Sequence, residues 1–281
     1  MPRINHNISS MITADALRST DRAMQSSLEK LSTGLRINRA ADDAAGLSIS
    51  EQLTGQVNGL AMGNRNTQDG ESLVNIADGA LNEVESMLQR MRELSVQASN
   101  DTLTSLERGY VQVEFDQLRS EIDRIVNCTQ FNSMNLLDGS APWGTGGVIH
   151  IGPNNVSYAD TILITINAMN TTLLGISTVD NVWVTTQVDA SNTINSLDTA
   201  LDSVNTLRAN LGAVTNRLQH ALTNQENQQT NMQAAESTIR DVDFAAETTE
   251  YSKNQILVQS STAMLAQANS LPQSILTLLK S

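Results

Sequence analysis

Apolar residues recur every seven positions, split four and three, at both ends of this chain. Near the start Leu17, Met24, Leu28, Leu31 and Leu35 step by 7, 4, 3 and 4. Near the other end Leu257, Met264, Ala268, Leu271, Ile275 and Leu278 step by 7, 4, 3, 4 and 3. Two positions per heptad make the seam of a coiled coil, narrower than the stripe a helix turns towards a globular core. Two such seams predict two helices that pack on each other or on copies of themselves.

The pattern continues inwards. Leu73, Ala77, Ala80, Val84, Met87, Met91, Leu94 and Ala98 alternate steps of 4 and 3. After a break at Ser99-Asn100-Asp101, Val111, Phe115, Leu118, Ile122 and Ile125 form another seam. On the C-terminal side Ile194, Leu197, Leu201, Val204, Leu211, Val214 and Leu218 mark a helix running to about Thr230. At 1.5 Å per residue it would be roughly 50–60 Å long, longer than a compact domain is wide. The expected fold is mainly α, an elongated rod of long coiled-coil helices. Pro272 should kink or restart the last of them.

Between 138 and 190 the texture changes. Glycines and prolines punctuate short β-branched runs, VIHI at 148–151, TILITI at 161–166 and VWVTTQV at 182–188, with GPNN at 152–155 as a turn. A small β-rich insert is expected there. The divisions read from the sequence are 1–45 with 240–281, 46–138 with 190–239, and 139–189.

Composition narrows the function. Only 17% of residues are charged and 3% aromatic, so Ala, Leu, Val, Ile and Met must fill the core. The net charge of −13 makes nucleic acid a poor partner, since affinity for a polyanion comes from Lys and Arg. No run of about 18 apolar residues suggests membrane insertion. The polar start, MPRINHNISSMITADALRST, does not read as a cleaved signal peptide. The single cysteine, Cys128, excludes an intrachain disulfide framework and reads as a buried or half-buried thiol without chemistry.

No constellation for catalysis, metal or cofactor emerges. His6, His150 and His220 share no ligand spacing, and Gly144-Thr145-Gly146-Gly147 lacks the lysine of a phosphate loop. Asp42 and Asp43 suit a cap or turn between helices better than acid–base work. The expectation is a structural protein rather than an enzyme. Its terminal helices, with few large side chains each, should gain too little from pairing alone to offset the ordering of the backbone, at about 1–2 kcal/mol per residue. Their folding should be coupled to polymerisation.

Four long segments, LEKLSTGLRINRAADDAAGLSISEQL at 28–53, NTQDGESLVNIADGALNEV at 66–84, LQRMRELSVQASN at 88–100 and the stretch from Ile239 to Leu279, resemble bacterial flagellins and occur in that family's order. The resemblance implies a homopolymer, the flagellar filament used for motility, with 1–45 and 240–281 innermost, the flanking helices next and the insert outermost. It implies export through the flagellar type III apparatus. It also implies partners: a chaperone on the C-terminal helix, a cap protein at the filament tip and hook-junction proteins. Leu88, Gln89, Arg90, Leu94 and Glu114 match positions through which many flagellins engage a vertebrate Toll-like receptor, although a solvated charged helix face is the plainer reading. Two other readings, a hook–filament junction protein and a filament-borne adhesin, fit less well, because the 28–53 and 239–279 signatures are near complete and the insert is short. The expected location is an extracellular filament. INHN at 4–7 and HIGPN at 150–154 are similar to spirochaete flagellins, whose filaments are periplasmic.

Overall fold

The computed structural model describes residues 6–140, 142–177 and 182–280, with backbone alone from 271 on. Among the described residues there are five helices, α1 (Ile8–Thr33), α2 (Ala44–Ala98), α3 (Ser105–Cys128), α4 (Gln187–Arg240) and α5 (Phe244–Lys280), with four short strands between α3 and α4 in the sequence. The strands are β1 (Gln130–Phe131), β2 (Met134–Asn135), β3 (Gly147–His150) and β4 (Thr161–Ile164). The chain is mainly α with a small β insert. It divides into two compact units, Met1–Gly55 with Asn231–Ser281 and Gln56–Thr230. No helix of the described residues is long and apolar enough to cross a membrane.

In the Gln56–Thr230 unit, Leu73, Ala77, Val84, Met91, Leu94 and Ala98 are buried along α2 as the heptads predict. Val74, Leu81 and Leu88 are buried beside them. The stripe is wider than a two-position seam because α3, α4 and the insert all join one core cluster with it. Polar side chains flank this core on α2 at positions 64, 71, 78, 85 and 92, seven apart. Asn64 donates to Gln229 (3.1 Å), Gln219 to Glu71 (3.0 Å) and Arg92 to Asp198 (2.6 Å), while Arg208 bridges Asp78 and Glu85. Exposed or half-buried pairs of this kind stabilise little individually, but together they match one antiparallel register of α2 and α4. α3 starts with a capping box, Thr104 and Glu107 satisfying each other's backbone N–H.

The stretch from the end of α3 to the start of α4 departs from expectation in three ways. β3 and β4 pair antiparallel, Gly147 opposite Ile164 and His150 opposite Thr161, but VWVTT at 182–186 is not a strand. Val182 and Val184 are nonetheless buried, because α3 holds this segment through side chains. The Val184 N–H donates to Gln112 Oε1 (2.8 Å) and the Arg119 guanidinium lies over the Trp183 ring (5.6 Å). One α3 turn further, Asp123 accepts from both the amide (3.0 Å) and the hydroxyl (2.8 Å) of Thr171. Secondly, β1 and β2 form an unforeseen hairpin whose two loop residues, Asn132 and Ser133, both have positive φ. Thirdly, Cys128 is exposed rather than buried: it ends α3 and faces the Arg124 guanidinium (3.7 Å).

α2 receives the insert on a row of small residues. Asn66 Nδ2 donates to the His150 carbonyl (2.8 Å), and Gly63, one turn away, lets the Ile151 carbonyl approach so closely that a Cβ there would overlap it.

Candidate self-association surface

α1 and α5 pair antiparallel. Asn7 Nδ2 donates to the Ala268 carbonyl (2.8 Å), Ser10 to Asn269 (2.8 Å), and Lys30 faces Glu247 (3.9 Å). The seam between them is poor in large apolar groups. On α1 it carries Leu17, Met24 and Leu31, half-buried, with buried Ser27 among them. On α5 it runs Tyr251, Asn254, Val258, Ser261, Leu265 and Ala268, of which Asn254 and Ala268 are buried.

Large apolar side chains face away from this seam instead. Ile8, Met11 (65% exposed), Ile12 and Leu28 stand out from α1; Ile256, Leu257 (42%) and Met264 (57%) stand out from α5. The single seam read on each helix is therefore two rows. Leu17, Met24, Leu31 and Ala268 turn inwards, whereas Leu28, Leu257 and Met264 turn outwards. Leu35 sits in the following turn, bridged to Asp241. The side chains of Leu271, Ile275 and Leu278 lie outside the described residues. Two heptad rows one residue apart run along α5, and choosing the larger apolar residues selects the exposed one. α5 continues past Pro272 without the restart expected there.

Both turns of this unit are closed by carboxylates. Asp42 Oδ2 accepts from the amides of Arg39 (2.9 Å) and Asn38 (3.1 Å), which hold its carboxyl below the ordinary 3.8. Asp43 accepts from Gly46 N (2.9 Å) at the start of α2, and Asp243 from Ala245 N (2.9 Å) at the start of α5. Capping is their role, as expected of the first pair.

The five receptor-type positions belong to the other unit and are only partly brought together at its surface. Leu88 and Leu94 are buried in the core and present no side chain to a partner. Gln89, Arg90 and Glu114 are exposed; Arg90 donates to Glu114 (3.0 Å) and Glu93 (2.9 Å), joining α2 to α3, and Gln89 to Glu85 (3.2 Å).

Comparison with known proteins agrees with this architecture. Residues 4–141 match the family described as the bacterial flagellin N-terminal helical region, and residues 194–279 its C-terminal helical region. The chain is 44% identical to the flagellar filament 33 kDa core protein of Treponema phagedenis, with 99% of each chain covered. It is also 44% identical to a flagellin of Bacillus subtilis (strain 168), over 99% of this chain and 100% of that one. The crystal structure of Bacillus cereus flagellin superposes with a TM-score of 0.50 and 34% identity, over 61% of this chain and 94% of that one. Helical ends in the family's order, an apolar face turned outwards and relatives matched along their whole length lead to one conclusion: the chain belongs to the bacterial flagellins, the structural proteins whose copies build the flagellar filament.

Proposed function

We propose that polymerisation is driven by the outward apolar rows of the α1–α5 pair, each burying against copies of the same chain. The observation that carries this is the inversion of the pair, with Ser27 and Asn254 inside and Ile8, Met11, Ile12, Leu28, Ile256, Leu257 and Met264 outside. Each large apolar side chain fully buried on assembly contributes about 1.5–3 kcal/mol, so the pair gains more from neighbours than from itself. An I12E/L257E variant keeps every inward residue. It should remain monomeric by sedimentation while its circular dichroism stays helical; filaments growing as from the parent chain would refute the assignment.

Within the filament, 1–45 with 240–281 form the innermost layer, 46–138 with 190–239 the next, and 139–189 the outermost. This ordering is supported by the terminal pair, which keeps polar Ser27 and Asn254 inside and turns its large apolar side chains outwards. Before export the same α5 face suits a chaperone that accepts a helix in an apolar groove, and at the filament ends it suits cap and hook-junction proteins. The filament lies outside the cell, or in the periplasm if the source is a spirochaete, a reading with which the Treponema relative is consistent. Recognition of free monomer by a Toll-like receptor would use Gln89, Arg90 and Glu114, the exposed members of the matched set. R90A would then weaken signalling by purified monomer, since Ala cannot replace the directed guanidinium bonds.

A further inference from the structure

Three residues, Asp241, Val242 and Asp243, separate α4 from α5, and none is a glycine or proline. Local sequence therefore does not force the interruption. A segment some 200 positions away, the turn that follows α1, bonds to this junction. In an uninterrupted α-helix the amides of Asp243 and Phe244 would donate to the carbonyls four residues back, those of Ile239 and Arg240. Both acceptors are taken by Arg36. Its guanidinium Nε donates to the Ile239 carbonyl (3.2 Å) and its backbone N–H to the Arg240 carbonyl (2.6 Å). The Val242 N–H is diverted as well, donating to the Gly34 carbonyl (3.0 Å) instead of to Thr238. Gly34 itself ends α1 with φ of 75°, a left-handed conformation that aims its carbonyl across this junction. The last helical bond of this kind is Asp241 N to the Ser237 carbonyl (2.9 Å). On the far side, Asp243 caps the new helix start through Ala245 N and Ala246 N.

We propose that the α4–α5 junction is a two-state element: broken while residues 34–36 dock on it, and continuous helix when they leave. Arg36 competes directly for the acceptors that helix propagation needs. Undocking frees the Ile239 and Arg240 carbonyls at the end of a long helix, where adding each next hydrogen bond is favourable because the nucleus already exists. The N-terminal arm thereby decides whether the C-terminal arm is a separate helix able to pair with α1 or an extension of α4. Pairing and breaking occur together, so the two arms reach their paired form in one step.

The test is amide exchange and Cα chemical shifts by NMR on the full-length monomer and two variants. R36P removes the guanidinium and the N–H together; R36A removes the guanidinium alone. In R36P the amides of Asp243 and Phe244 should exchange at least about fivefold more slowly than in the parent, in line with one net hydrogen bond each. The shifts of residues 241–243 should become helical, and R36A should fall between. Unchanged or faster exchange at these two amides, or non-helical shifts at 241–243, overturns the proposal. Slow amides at Leu88 and Leu94, in the other unit, report that the variant is folded; if R36P loses them, R36A decides by the same two readouts.

Discussion

The carbonyl of Ile151 lies where a side chain on Gly63 would stand. The strand β3 and its following turn therefore rest on α2 through backbone, and the insert is fitted to that helix rather than merely tethered to it. G63A should gain about 0.5–1 kcal/mol of helix propensity and lose more, because overlap with a carbonyl has no rotamer to relieve it and overpacking costs about 1–3 kcal/mol. Gly79, on the same helix with nothing near its would-be Cβ, is the control. G63A should lower the urea midpoint while G79A raises it.

Asp123 is the anchor for the segment that leads from the insert back to α4. D123A leaves the buried Thr171 amide and hydroxyl without their acceptor, at a cost of about 1–3 kcal/mol. D123N retains one acceptor oxygen and should fall between. Denaturant unfolding of the monomer, followed by Trp fluorescence, measures both.

The helices, their order and the break at Ser99–Asp101 were legible because each rests on a local rule: heptad spacing, a polar break, a cap. The two strands of β3 and β4 were legible from β-branched runs. VWVTT at 182–186 misleads for the same reason. Val182 and Val184 are buried, but the Val184 amide donates to Gln112 on α3 and the Trp183 carbonyl accepts from Thr193 on α4, and no local pattern carries that information. The split of each terminal seam into an inner and an outer row was equally hidden. Ser27 and Asn254 occupy inner positions with polar side chains, so a search for apolar heptads on α5 follows the outer row of Leu257 and Met264 and misses the inner one. Cys128 reads as a buried or half-buried thiol from the usual behaviour of free cysteine, yet as the last residue of α3 it turns to solvent.

Acid should loosen the α1–α2 turn. The carboxyl of Asp42 is held below 3.8 by the Arg39 and Asn38 amides, so its contribution is complete above 3.8 and is lost as pH falls through the lowered value. Exchange of the Asn38 and Arg39 amides, corrected for intrinsic rates, should accelerate in the parent only as the pH falls below 3.8. D42N should show little change over that range.

Replacing 141–188 by a short Gly/Ser linker should leave filaments that still form, since the outward rows of α1 and α5 are untouched and loop closure depends weakly on length. The monomer should unfold at lower denaturant, because Ile151, Ile162, Ile164, Val182 and Val184 leave the core cluster. Electron microscopy and a urea titration measure the two effects. Loss of assembly by a folded, exported monomer would make the insert itself a subunit contact.

Methionine oxidation footprinting of monomer and filament tests the central claim most directly, because the chain carries its own probes and controls. Met11 and Met264 stand on the outward rows at 65% and 57% exposure, whereas Met91 is fully buried in the other unit. In monomer, Met11 and Met264 should oxidise readily and Met91 hardly at all. In assembled filament Met11 and Met264 should become protected by about tenfold or more, approaching Met91, as expected for apolar groups removed from solvent at a packed interface. Equal oxidation of Met11 and Met264 in monomer and filament would contradict the account, for the outward rows would then face solvent in the polymer as well.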